Sequence, residues 1–155
     1  MRLFRTTIAA AAIALLAAVG TVAPAASAAP NAPQNTAELI GVVQQTGAKT
    51  AEVTVRYTCD ITEPWLWVSV KQSADRTADP RLTQPDSGGN RVAAAWSQSH
   101  DTSKLNCDGK SHVAKFTVDQ AKQGYGKLGK GEAWVQFCLI GENAFVSESE
   151  FLHLR

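Results

Sequence analysis

Thr50-Ala51-Glu52-Val53-Thr54-Val55-Arg56-Tyr57-Thr58-Cys59 sets Val53, Val55, Tyr57 and Cys59 against Glu52, Thr54, Arg56 and Thr58 in strict alternation. A period of two puts one set of side chains on a buried face and the other in water, which reads as a half-buried strand. Trp65-Leu66-Trp67-Val68-Ser69-Val70-Lys71 repeats the pattern, with Leu66, Val68 and Val70 on one side and Trp65, Trp67, Ser69 and Lys71 on the other. Working outward, 39–44, 111–118, 132–140 and 145–154 read as further strands. Gly47-Ala48, Asp108-Gly109, 124–131 and Gly141-Glu142-Asn143 punctuate them as turns. Val118–Gln123 is the one stretch that suits a helix, of a turn or two. The segment between the strands at 65–71 and 111–118 begins polar and turns apolar at Val92-Ala93-Ala94-Ala95-Trp96, a candidate seventh strand.

Six to seven short strands separated by turns predict an all-β fold, an immunoglobulin-like antiparallel β-sandwich occupying 38–155. Ahead of it, Met1–Arg5 carries Arg2 and Arg5, Ile8–Val19 is wholly Ile, Ala, Leu and Val, and Ala26-Ser27-Ala28 forms an A-x-A site. These features predict a signal peptide over 1–28. The apolar run is shorter than the roughly 18 residues that span a bilayer, so a retained membrane helix is not expected. Residues 29–37 offer little to bury and read as a flexible leader. Export therefore places the domain outside the cell, as a secreted protein.

Loss of Arg2 and Arg5 from 15 basic side chains leaves 13 against 14 acidic ones. A balance so near neutrality argues against nucleic acid or an anionic membrane as the main partner, since both need a basic face. Cys59, Cys107 and Cys138 remain, and an oxidising compartment favours pairing two of them. In such a sandwich the strands at 50–59 and 111–118 are antiparallel neighbours. The end of the first then lies near the start of the second, which favours Cys59–Cys107. The competing bridge is Cys59–Cys138, the inter-sheet bond of antibody domains, with Trp67 as its neighbouring tryptophan. Against it, Cys138 has the opposite parity to Ala133, Val135, Phe137 and Leu139. On the first pairing Cys138 is the odd cysteine, either open to an intermolecular bond or covered as a small apolar side chain.

Tyr57-Thr58-Cys59, Val68-Ser69-Val70-Lys71-Gln72, Cys107-Asp108-Gly109 with His112, and Gly131-Glu132-Ala133-Trp134-Val135 carry a resemblance. Together they look like a family of short secreted actinobacterial proteins with an immunoglobulin-like domain of unknown function. The resemblance implies the fold and pairing of the two matched cysteines, Cys59 and Cys107, and no activity. Cys138 and the long 72–106 segment depart from the family pattern.

Ser97, Ser99, His100, Asp101, His112 and His153 are the catalytic candidates by composition, but none sits in a nucleophile-elbow motif and no catalytic residue is assigned. His100, Asp101, His112 and His153 are too scattered for a zinc or calcium spacing. Asp79, Asp86 and Asn90 lack the alternation of a calcium loop. No metal site and no cofactor are therefore expected.

The tryptophans carry the functional expectation. With Leu66, Val68 and Val70 inward, Trp65 and Trp67 project outward, about 7 Å apart. Trp134, Gln136, Cys138 and Ile140 form the outward set of the neighbouring strand. Trp65, Trp67 and Trp134 are thus the candidate binding residues of one aromatic face, unless 72–106 folds back and covers it with Val92 and Trp96. Open, such a face suits a carbohydrate or a cell-surface protein, in a non-catalytic binding or cell-envelope interaction module. The alternative is a small secreted enzyme or an inhibitor acting through 72–106.

Overall fold

A computed structural model describes residues 35–155 apart from 86–88, 90 and 143. The expected signal peptide, most of the expected leader, and Asp86 and Asn90 lie outside the described residues. Eight strands are formed within them: β1 (Thr36–Leu39), β2 (Gln44–Gln45), β3 (Ala51–Thr58), β4 (Trp65–Gln72), β5 (Ala95–Ser99), β6 (Ser111–Val118), β7 (Gly131–Ile140) and β8 (Phe145–Leu154). A 3₁₀ turn, Pro80–Thr83, lies in the link between β4 and β5.

The strands form two antiparallel sheets. In one, β6 lies along one edge of β3, while β1 and β2 share its other edge. The second sheet runs β5-β4-β7-β8. This is the order of an immunoglobulin-like sandwich, and the all-β expectation holds. Each alternating strand buries the set of residues its parity predicts. Val53, Val55, Tyr57 and Phe116 of the first sheet meet Leu66, Val68, Val70, Val135, Phe137 and Leu139 of the second. Tyr57, Phe116 and Phe137 form the aromatic centre, with ring centroids 5.5–6.2 Å apart. Among the described residues, no helix is long and apolar enough to cross a membrane.

Three details depart from the sequence reading. The single strand expected at 39–44 is two short strands. It starts at Thr36, so Thr36 and Ala37 belong to the sheet and not to a leader. Between β1 and β2 the chain turns at Gly41 (φ +73°) and Val43 leaves β3 to bridge Leu154 of β8 in parallel. That crossing ties the edges of the two sheets together. The helix considered for 118–123 does not form, because Asp119 continues as a backbone bridge to Gln98. Finally, the strand expected around Val92–Trp96 begins only at Ala95 and joins the sheet edge-on to β4.

The disulfide joins Cys59 to Cys107. The motif residues around it have structural work. The Tyr57 hydroxyl donates to the Lys104 carbonyl at 3.3 Å and accepts from the Asn106 amide at 3.0 Å. Gly109, at φ +75°, donates its N–H to the Cys59 carbonyl. Asp108 accepts from the Lys110 amide and pairs with His112 Nε2 at 2.7 Å. These bonds hold its carboxyl below the ordinary carboxylate range, His112 contributing most. Cys138 lies outside the disulfide and is buried, its Sγ within 3.4 Å of Ser147 Oγ.

Candidate functional site

Antiparallel pairing places directly opposed residues on the same face, so the outer face of the second sheet can be read as rows. One row is Trp96–Lys71–Trp134–Phe151, and the next is Gln98–Ser69–Gln136–Ser149. Beyond them come Trp67–Cys138–Ser147, and finally Trp65–Ile140–Phe145.

The first two rows are largely closed. Lys71, Ser69, Trp96 and Gln98 are buried although they face away from the core. The Lys71 ammonium lies 5.5 Å from the Trp67 ring centroid and 5.9 Å from that of Trp96, and it donates to Gln136 Oε1 at 3.1 Å. Aromatic faces and an amide oxygen thus stand in for water around the cation. Tyr125 packs edge-on against Trp96 and bridges its backbone. Trp134 is half-buried against Phe151, at 5.0 Å between centroids.

The far row is open. Trp65 is 48% exposed, Ile140 37% and Phe145 66%, three large apolar side chains side by side on adjacent strands. The expectation of one aromatic face therefore divides by position. Trp65 lies at the open end and Trp67 is half-buried, donating Nε1–H to Gln98 Oε1 at 2.9 Å. Trp134 pairs with Lys71, six residues along β7 from Ile140, or about 20 Å away. It does not join Trp65. The covering role considered for 72–106 is likewise local: Trp96 closes the Lys71 row and Val92 is half-buried, while at Trp65 the His100 ring stacks on the indole and still leaves it 48% exposed.

A pocket adjoins the open row. The end of β5 and the turn after β6 enclose about 400 Å³, with Gln98, His100, Asp101, Thr102, Asp119 and Lys122 in its lining. Backbone bonds in both directions between Gln98 and Asp119 hold the two walls together. His100 links the pocket to the aromatic row, its ring stacked on Trp65 at 5.0 Å and 29°. Its Nδ1 donates to the Leu66 carbonyl at 2.9 Å, which fixes the orientation of the ring. Asp101 Oδ1 accepts the Ser103 amide and Asp119 Oδ1 accepts the Ala121 amide. The bond from Ser103 holds the Asp101 carboxyl below its ordinary range, so it is an anion and an acceptor at neutral pH.

The other candidates from the sequence are dispersed. His112 is engaged by Asp108 on the first sheet, and His153 Nδ1 by Glu132 at 3.1 Å on β8. Ser97 donates to the Lys49 carbonyl. No hydroxyl or thiol is hydrogen-bonded to a histidine ring among the described residues. Asp79 is held by Arg81 in the 3₁₀ turn, and among the described residues no group of three His, Cys, Asp or Glu could hold a metal ion. Sequence reasoning missed Phe145, Thr102, Asp119 and Lys122 as site residues. For Phe145 the signal was available, because its parity on 145–154 matches that of Ile140 across the Gly141 turn. The other three are joined only by tertiary pairing.

No family model matches the chain, and no curated protein matches it.

Proposed function

We propose that the protein is an exported, non-catalytic binding module that contacts a carbohydrate or protein of the cell envelope through the open end of its outer sheet face. The observation that carries this is the exposed row Trp65–Ile140–Phe145. Contiguous large apolar side chains left in water are costly and mark contact surfaces. Strands hold the row, so its geometry is fixed before a partner arrives, which lowers the entropy lost on binding. Export rests on the 1–28 segment and accords with the Cys59–Cys107 bond, and the resemblance to short secreted actinobacterial proteins supports the same compartment.

The test is retention of the purified domain on the insoluble envelope fraction of the producing cell. Trp65→Ala and Phe145→Ser are each expected to weaken retention about tenfold or more, as loss of a central aromatic anchor does. Val113→Ser, which removes a 59%-exposed apolar residue of the first sheet, should leave it unchanged. Absence of retention, or retention indifferent to Trp65 and Phe145, refutes the proposal.

A further inference from the structure

We infer that the free edge of β6 is a pairing site for a second copy of this chain, the two β6 strands joining antiparallel about Ala114 into one continuous sheet. The inference stands apart from the Trp65 row, which belongs to the other sheet.

Backbone parity identifies the free groups. Ile40 N–H bonds the Thr54 carbonyl, so even-numbered residues of β3 turn toward β1 and odd-numbered ones toward β6. The β6 partners of those odd residues are His112, Ala114, Phe116 and Val118. Ser111, Val113, Lys115 and Thr117 therefore turn N–H and C=O away from β3. Asp119, next in that series, exchanges both of its bonds with Gln98 of β5. No backbone hydrogen bond within the described residues uses the outward groups of the four before it. The edge is also held straight. It pairs with β3 at eight consecutive positions, between the Cys59–Cys107 bond at one end and the Asp119–Gln98 bonds at the other.

Proteins guard such an edge with Pro, bulges, lysines or inward-pointing charges. β8 uses the last device, for Glu148 and Glu150 lie opposite Phe137 and Val135 and share their inward face. The outer edge of β5 is bridged by Asp119 and Tyr125. β6 has no bulge and no Pro, and its one lysine, Lys115, lies 3.9 Å from Glu52 of its own sheet.

The register follows from self-complementarity. A two-fold centred on Ala114 sets Ser111 against Thr117 and Val113 against Lys115. All four outward residues of each copy then bond, giving about eight backbone hydrogen bonds. No like charges stand directly opposite, and Val113, 59% exposed in the single chain, comes under a lysine stem. Centring on Lys115 opposes two ammonium groups, and centring on Val113 leaves Thr117 unpaired. The link ahead of β6 does not obstruct the edge. Tyr57 holds Lys104 and Asn106 on the inner side, and the two-fold sets the two links at opposite ends of the paired strands.

One strand per copy makes a small contact, below about 1,200 Å², so the dimer is weak and exchanging. The experiment is sedimentation equilibrium of the intact domain from about 10 μM to 2 mM, bracketing a Kd of roughly 0.1–1 mM. Amide hydrogen exchange is followed at both ends of that range. Self-association is expected, with the Val113, Lys115 and Thr117 amides slowing as concentration rises. The outward amides of Ser147 and Ser149 on β8 should stay fast. Lys115→Pro removes only an outward N–H, so it should keep the wild-type circular dichroism spectrum and weaken association about tenfold or more. Val113→Lys, which leaves the backbone intact, should weaken it about threefold or more. Val113→Glu should tighten it about two- to tenfold, because each Glu would face Lys115 of the other copy. A monomer throughout, protection on β8 instead of β6, or association indifferent to both Lys115→Pro and Val113→Lys refutes the inference. Weakening by Val113→Glu also overturns it, since that result belongs to a different register. So does an added extended peptide of alternating Thr and Val that slows the β6 amides of a protein that stays monomeric, because the edge would then take a different chain.

Discussion

Opening the Cys59–Cys107 bond should cost about 4 kcal/mol, nearly all of it through the unfolded chain. The two residues are 48 apart in sequence. Closing a loop of that length removes about 13–14 cal/mol/K of chain entropy, or about 4 kcal/mol at 25 °C. The native state has other reasons to keep its shape there. Tyr57 holds the 104–106 segment through its hydroxyl, Gly109 is bonded to the Cys59 carbonyl, and β3 pairs with β6 at eight positions. The folded structure should therefore survive reduction, with the difference appearing as stability. For a domain of about 120 residues the unfolding entropy is about 0.25 kcal/mol/K, so the melting temperature should fall by about 15 °C. The assay is urea unfolding of the oxidised protein, the reduced protein and the Cys59→Ala/Cys107→Ala double variant, followed by tryptophan emission. Reduction should lower the midpoint and raise the slope, because an uncrosslinked chain exposes more surface. The double variant should resemble the reduced protein within about 1 kcal/mol, the cost of losing one buried and one half-buried sulfur. A loss below about 1.5 kcal/mol on reduction, with an unchanged slope, would refute the loop-closure reasoning.

Glu150 on β8 is held above the ordinary carboxylate range, first by burial and then by Glu148 and Glu38. A raised acid penalises the fold where it is ionised, so the penalty is complete above its folded pKa and gone below the unfolded value of about 4.3. Glu150→Gln should therefore stabilise the protein at pH 7, by less than about 1 kcal/mol because solvent screens the group, and the gain should vanish below about pH 4 in thermal melts. A gain that persists at low pH would show that charge is not the cause. Gly126 and Gly41 provide a matched pair for packing. Both have positive φ, +72° and +73°, but a Cβ at Gly126 would strike the Ala94 carbonyl oxygen, whereas one at Gly41 meets nothing within 4 Å. Gly41→Ala should cost about 1–2 kcal/mol, the left-handed penalty alone. Gly126→Ala should cost clearly more, because the clash is with backbone beside Trp96. Equal urea midpoints for the two would rule out the close approach.

The strands were legible because alternation is a direct consequence of the sheet's pleat. β3, β4, β6, β7 and β8 fall within a residue or two of where parity places them, and the core is the set of apolar residues that parity assigns inward. The disulfide was legible for a related reason, since neighbouring antiparallel strands bring the end of one beside the start of the other. β1 and β2 were harder. Thr36, Ala37, Gln44 and Gln45 carry no apolar alternation, and what places them is backbone pairing to β3 on either side of a crossing to β8. Side-chain patterns are silent about a segment whose stability comes from its main chain.

The tryptophans show where parity stops. It assigned Trp65, Trp67 and Trp134 to one face correctly, and it could not assign them to rows. Rows depend on register, and register here sets Trp65 against Ile140 and Trp134 against Lys71. Cover is then decided row by row, by whatever lies at that end of the sheet. At the Lys71 end, Trp96 arrives with β5, Tyr125 packs against it, and a cation is sealed among indoles. At the other end β5 has already stopped at Ser99, one residue before His100 turns onto Trp65. The edge strand that closes one end thus delivers the pocket wall at the other. An open aromatic beside a polar pocket follows from where β5 begins and ends, and a period-two pattern does not encode that.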